Sequence, residues 1–272
     1  MIYVDKQACI GCGQCEKECY FGAVELQDGK AQMSYERCFK CGHCIAVCPK
    51  DCITLDDYPA EDIRPYRREE FDIAPDTLLN FVKFRRSARH FTSEQVNKDV
   101  IANILEIGRF TQTGGNQQNV SYIVIQEQRD YFRKIVLESL YALSGKFKNT
   151  ADPVLKRYAI LWKMFYNAYQ KDPVNSPDKL FFNAPTLIVV TSPSPINAGL
   201  AAANIANMID ATAGLGTCFS GFAVRAAADN TTIKEFLSVQ PGHEVVACLM
   251  VGHTTTKYRR TVPRKPTQIN WL

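Results

Sequence analysis

The residues best able to do chemistry stand at the start of the chain. Cys9, Cys12, Cys15 and Cys19 lie in the run CIGCGQCEKEC, and Cys38, Cys41, Cys44 and Cys48 in the run CFKCGHCIAVC, which is followed by Pro49. Each cysteine of the first run recurs 29 positions later, as does Gly13 at Gly42, so the segment reads as a duplicated unit with pseudo-twofold symmetry. Three cysteines separated by two-residue gaps suit three corners of a cubane iron–sulfur cluster, while the fourth, carried by a short helix, reaches the other cluster. The expected ligation is therefore crossed. Cys9, Cys12, Cys15 and Cys48 serve one [4Fe-4S] cluster, and Cys38, Cys41, Cys44 and Cys19 serve its twin. Zinc is the competing chemistry, but zinc sites usually pair two C-x2-C knuckles from distant segments, and three cysteines this close around one tetrahedral ion are unusual. Nine of the eleven cysteines fall within the first 52 residues. That odd count, without a secretory pattern at the N-terminus, leads us to expect a reducing, cytoplasmic setting with clustered thiols as metal ligands. Cys52 belongs to neither run and reads as a small buried residue.

Three further features carry possible chemistry, each with a plain alternative. Arg85, Arg86, Ser87 and Arg89 set three guanidiniums and a hydroxyl at a helix end, suited to phosphate and polar ring edges, or simply to solvent. Thr113-Gly114-Gly115-Asn116-Gln117-Gln118 is a turn whose glycines let a ligand approach backbone amides, with Asn116 and Gln118 as paired donors and acceptors; an ordinary surface turn reads the same way. The run from Lys257 to Lys265 holds five cations and no acid, a basic clamp or a solvated tail.

The elements that must position these residues follow from pattern. Alternation on either side of Asp28-Gly29 predicts a tight hairpin between the cysteine runs. Residues 58–75, with prolines at 59, 65 and 75 and many charges, read as a semi-rigid linker. Leu78, Leu79, Phe81 and Val82 have helical spacing, as do Val100, Ile101, Ile104 and Leu105. Residues 122–125, 187–190 and 245–250 read as buried strands, and an alanine-rich helix runs from Asn197 to Ala213 before Gly214. Residues 145–180 are rich in aromatics and read as a lid over a bound molecule, an amphipathic core helix, or both. The class is therefore mixed, α+β. With 272 residues, of which 46% are hydrophobic and 22% charged, the chain can bury two modest cores. No run of eighteen apolar residues suggests a membrane span, and a formal charge of +4 is far from a nucleic-acid footprint. Two thiolate-ligated iron–sulfur clusters would cancel that charge.

Residues 1–57 resemble the bacterial two-cluster [4Fe-4S] ferredoxins, with Tyr20 standing where that family usually places proline. From 76 to 272 the chain resembles the nitroreductase family of FMN-dependent enzymes, through FRRSARHF at 84–91, TGGNQQ at 113–118, FNAP at 182–185, GLGTCFSGF at 214–222 and the ending KYRRTVPRKP. This second resemblance implies an α+β sandwich and assigns Arg85, Arg86, Ser87 and Arg89 to the FMN phosphate, the ribityl chain or the flavin edge. It implies that Asn116 and Gln118 contact flavin or ribityl from the neighbouring subunit of a homodimer. Ser220 and Gly221 would lie by the ring, with Arg260 or Arg264 completing the phosphate clamp. Asn119 and Thr254 depart from the usual pattern, which leaves the clamp cation open between those two arginines. C-terminal arms that embrace the partner are implied, with Ile269-Asn270-Trp271 as anchor, unless Trp271 finishes its own domain's core.

Together the resemblances imply an oxidoreductase that passes electrons from two [4Fe-4S] clusters to FMN for two-electron reduction of a small organic acceptor of nitroaromatic, quinone or enone type. The expected donor is reduced ferredoxin or flavodoxin, or NAD(P)H. No side chain is required as a nucleophile; His90, Tyr158 and Tyr169 are conceivable proton donors but read first as structural. The alternative is an electron-transfer relay serving a protein partner, to which the first 60 residues, with nine acids against six bases, would offer an acidic docking face.

Overall fold

A computed structural model of the chain describes residues 2–272 and divides into two compact units. One runs to Ala74 and includes the loop Gly114–Gln117; the other comprises Pro75–Thr113 and Gln118–Leu272.

The first unit is built from β1 (Ile2–Val4), α1 (Gln14–Glu18), β2 (Val24–Gln27), β3 (Lys30–Met33), α2 (His43–Ala46), β4 (Ile53–Leu55) and α3 (Arg68–Phe71). The hairpin falls where the alternation placed it, with Gln27 opposite Lys30 and both Asp28 and Gly29 at positive φ, as a two-residue turn between right-twisted strands demands. β1 pairs antiparallel with β4, Ile2 opposite Leu55, so the two ends of the duplicated segment lie side by side. α1 packs on α2. Ile2, Val24, Ala31, Ile53 and Leu55 form a small core together with Cys9, Cys15, Cys44 and Cys52.

Residues 58–74 are more than an extended connector, because they form a 3-10 turn at Ala60–Asp62 and the helical turn α3. The charges that suggested a solvated linker pair among themselves. Glu70 accepts from both Arg64 and Arg67, Arg68 meets Asp72 at 3.4 Å, and Tyr66 stacks on Phe71 while donating to Asp72.

The second unit contains α4 (Pro75–Phe84), α5 (Lys98–Arg109), β5 (Ser121–Ile125), α6 (Arg129–Lys146), α7 (Pro153–Lys171), β6 (Thr186–Ser192), α8 (Pro195–Ala211), β7 (Leu215–Phe219), α9 (Gly221–Ala227), α10 (Thr231–Phe236) and β8 (Glu244–His253). The strands make one antiparallel sheet in the order β5-β6-β8-β7. Every residue of β6 is buried, because helices cover both faces. Ile188 and Val190 face α5 and α8 with Ala198, Ala202, Ile205 and Ile209, while Leu187 and Val189 face a second cluster that holds Phe132, Trp162 and Phe181. The period of two along the strand sorts alternate residues into the two layers.

α7 resolves the aromatic stretch. Trp162 is fully buried among Phe147, Tyr158 and Phe222, so that face is core, while Val154, Ile160 and Met164 look outward. α4 forms as its spacing predicts but buries none of its residues, leaving Leu78, Leu79 and Val82 about half exposed. Beyond Thr254 the chain forms no helix or strand, and Trp271 at 89% exposure does not complete its own domain's core.

Candidate functional site

In the first unit, the short helices set the cysteines. Gly13 and Gly42 are the residues before α1 and α2, at φ 74 and 77, a left-handed turn that glycine enters without a Cβ penalty. Each glycine therefore swings the chain so that the next cysteine, Cys15 or Cys44, points into the core, where both are 8% exposed. Cys19 and Cys48 follow the helix ends. At Gly11 a side chain would overlap the Gly29 carbonyl oxygen, so the hairpin can close over the first run only with glycine there.

Cys9, Cys12 and Cys15 share one cavity with Cys48 from the other run, together with Pro49, Cys52 and Ile53. Cys38, Cys41 and Cys44 form the counterpart trio. Burial, reinforced by the neighbouring Cys38 and Cys41, pushes the Cys44 thiol up to about 11, and burial likewise raises Cys15. Backbone amides point at the sulfurs, from Ala23 to Cys19 at 3.2 Å, from Lys40 to Cys38 at 3.4 Å and from Ala31 to Cys9 at 3.5 Å. Among the described residues no three Cys, His, Asp or Glu side chains converge as around a single ion. The set of Cys9, Cys12, Cys15 and Cys48 surrounds a space rather than a point, and an all-thiol donor set with amides aimed at its sulfurs fits an iron–sulfur cluster.

In the second unit, four of the stretches singled out in the sequence converge. Ser87 forms an isolated parallel bridge with Thr217 of β7, and its carbonyl accepts from the Tyr258 hydroxyl at 3.3 Å. The Arg89 guanidinium lies 5.9 Å from the centre of the Phe182 ring. Ser220, 5% exposed, caps α9 by accepting from the Ala223 amide, and Gly221 has open space where a side chain would project. Arg260 and Arg264 lie exposed on the C-terminal run. Ser87 and Arg89 are exposed, a hydroxyl and a guanidinium of the kind that suits a phosphate-bearing group.

Arg85 is placed differently from the others. Its Nε donates to Asp210 at 2.6 Å and an Nη to Asn207 at 2.8 Å, both on α8. Burial raises the Asp210 carboxyl, with the Arg85 pair opposing that shift. The Arg86 Nη groups donate to the Arg85 and Lys83 carbonyls, and its Nε is buried. Replacing Asp210 with alanine is expected to cost about 3 kcal/mol by stranding a half-buried guanidinium. A lower denaturation midpoint at unchanged m-value checks this, with Asp210→Asn, which still accepts, losing less.

The TGGNQQ turn is divided between the units. Asn116, at φ 52, donates to the Phe39 and Lys40 carbonyls at 3.2 and 3.1 Å within the first unit, whereas Gln118 lines a groove of the second with Arg109, Thr113 and Tyr122. Sequence reasoning missed Asp210, Asn207, Phe182 as the ring beside Arg89, and the setting of Cys52. Asp210 did leave a signal, being the single charge on a helix otherwise made of neutral residues.

Comparison with known proteins agrees with this division. Residues 82–253 match the nitroreductase family, and residues 8–66 match the 4Fe-4S dicluster domain. The fold is similar to an FMN-bound nitroreductase from Bacteroides fragilis, at TM-score 0.50 and 19% identity, over 71% of this chain and 97% of that one. It is also similar to a BluB-like flavoprotein from Clostridium difficile, at TM-score 0.53 and 17% identity, over 71% and 99%. The cysteine segment is 47% identical over 47 residues to one subunit of an ion-translocating oxidoreductase complex from Methanosarcina acetivorans, and 37% identical over 54 residues to a ferredoxin from Pyrobaculum islandicum. These matches take in 17% and 20% of this chain, and 18% and 50% of the two relatives' lengths. The chain belongs to the nitroreductase family and carries a 4Fe-4S dicluster domain ahead of the family's fold.

Proposed function

We propose that the chain is an iron–sulfur flavoprotein oxidoreductase that takes electrons through two [4Fe-4S] clusters to FMN and reduces a small organic acceptor of nitroaromatic, quinone or enone type. The observation that carries this reading is the joining of a dicluster domain and a nitroreductase domain in one polypeptide. When bound, the clusters supply electrons singly and FMN delivers them in pairs. Cys9, Cys12, Cys15 and Cys48 hold one cluster; Cys38, Cys41, Cys44 and Cys19 hold the other.

Ser87, Arg86 and Arg89 bind the FMN phosphate and ribityl chain, Arg260 or Arg264 closes over the phosphate, and Ser220 and Gly221 face the ring. Arg85 acts mainly through Asp210, anchoring the strap that carries Ser87. Asn116 and Gln118 reach the flavin of a second protomer in a homodimer. The exposed apolar face of α4, the exposed Ile269 and Trp271, and an outer edge of β5 free of a strand partner among the described residues favour that assembly. Removing residues 257–272 is expected to give a monomer, measured by light scattering after size-exclusion chromatography; a dimer of unchanged mass would remove the arm from the interface. Among the described residues no helix is long and apolar enough to cross a membrane.

The deciding experiment reduces the anaerobic holoprotein with NADH, NADPH, reduced ferredoxin or flavodoxin and follows cluster and flavin absorbance as small acceptors are added. Rapid flavin reoxidation by at least one acceptor class is expected. Reoxidation by none of them, with fast exchange to a redox protein, would make the chain a relay.

A further inference from the structure

The 29-residue repeat is broken at one buried position. Ala23 in the first half corresponds to Cys52 in the second, and the two are 2% and 7% exposed. Both follow a fourth cysteine by four residues. In both halves the backbone amide at that position hydrogen-bonds the preceding cysteine, Ala23 to Cys19 and Cys52 to Cys48. Only the second half adds a side chain. Cys52 Sγ lies 3.4 Å from Cys48 Sγ and lines the same cavity as Cys9, Cys12, Cys15 and Cys48. Its sulfur partner Cys48 and the cavity it lines thus both belong to one cluster, and neither to the twin.

A cysteine bound to iron has no proton to give, so the hydrogen between Cys52 and its partner must come from Cys52. Reduction adds negative charge to the sulfurs, and a donor aimed at them stabilises the reduced state more than the oxidised one. We propose that Cys52 is a tuning residue whose S–H makes the cluster held by Cys9, Cys12, Cys15 and Cys48 easier to reduce than its pseudo-symmetric twin, giving two near-identical sites a defined order of filling. Each site takes up one electron from a low-potential reductant, and no bond is made or broken at Cys52. The inference rests on the crossed ligation proposed above. The expected effect is about tenfold in the equilibrium between reduced and oxidised site, or about 59 mV for a one-electron step.

The test is a dithionite titration of the full-length holoprotein followed by electron paramagnetic resonance, with iron and sulfide assayed on each sample. Wild type is expected to show two separated potentials. Cys52→Ala, which copies the first half of the repeat, should lower the higher one by about 59 mV toward its twin, a tenfold change in that site's equilibrium, with the iron of both clusters retained. Cys52→Ser, which keeps a donor, should hold the separation, and Ala23→Cys should raise the lower potential. Unchanged potentials in Cys52→Ala and Ala23→Cys at full iron content would overturn the inference. So would loss of half the iron in Cys52→Ala, which would make Cys52 a ligand. Wild type without clusters would instead defeat the cluster reading itself.

Discussion

Cys48→Ala is expected to halve the iron and acid-labile sulfide of anaerobically purified protein and to lower donor-dependent turnover by more than about 100-fold, since even outer-shell changes at metal sites cost about 10–100-fold. Cys48 belongs to the second run by sequence, yet it lines the cavity of the first. The partner of a second substitution therefore decides the ligation. With crossed ligands, Cys12→Ala added to Cys48→Ala removes no further iron, because both strip the same cluster, whereas Cys41→Ala added to Cys48→Ala removes nearly all of it. The opposite pattern would assign Cys48 to its own run.

Arg89→Ala is expected to weaken FMN binding about 10- to 100-fold, measured by fluorescence of flavin released on dilution. Arg89 is exposed and lies beside Phe182, so its charge is available to an anionic ligand without dismantling a buried ion pair. A hydrogen bond to a charged group contributes about 1.5–3 kcal/mol, and each 1.4 kcal/mol is about tenfold. Arg89→Lys keeps the charge but loses the planar fork, and should fall between the two. Arg85→Ala provides the contrast. It should lower the stability of the flavin-free protein, because Asp210 loses its partner at 2.6 Å, while the flavin-free Arg89→Ala protein unfolds as wild type. Equal flavin affinity in Arg89→Ala and wild type would remove Arg89 from the site.

Much of the architecture was legible in the sequence because it is local. The continuous apolar run at Leu187 to Val190 became a strand covered on both faces, Asp28-Gly29 became the hairpin turn, and the repeated glycines marked the helix starts that aim Cys15 and Cys44 inward. What was not legible depends on partners far along the chain. Arg85 and Asp210 are 125 residues apart, and no short-range pattern pairs them. Residues 58–74 have the composition of a linker, and only the geometry shows their charges satisfying one another at three- to six-residue spacing. Position 271 shows the limit in the other direction, since a tryptophan suits a core or an interface equally and only its surroundings separate the two.

The pairing of β1 with β4 has a consequence for how the protein is made. During synthesis β1 leaves the ribosome well ahead of its partner, which emerges only after all nine cysteines of the segment have passed. Domains fold as units as the chain grows, so this one cannot close before Leu55 is clear of the exit tunnel. Until then its thiols stand open to oxidants and stray metals. The strand that seals the segment is thus also the last of it to be made.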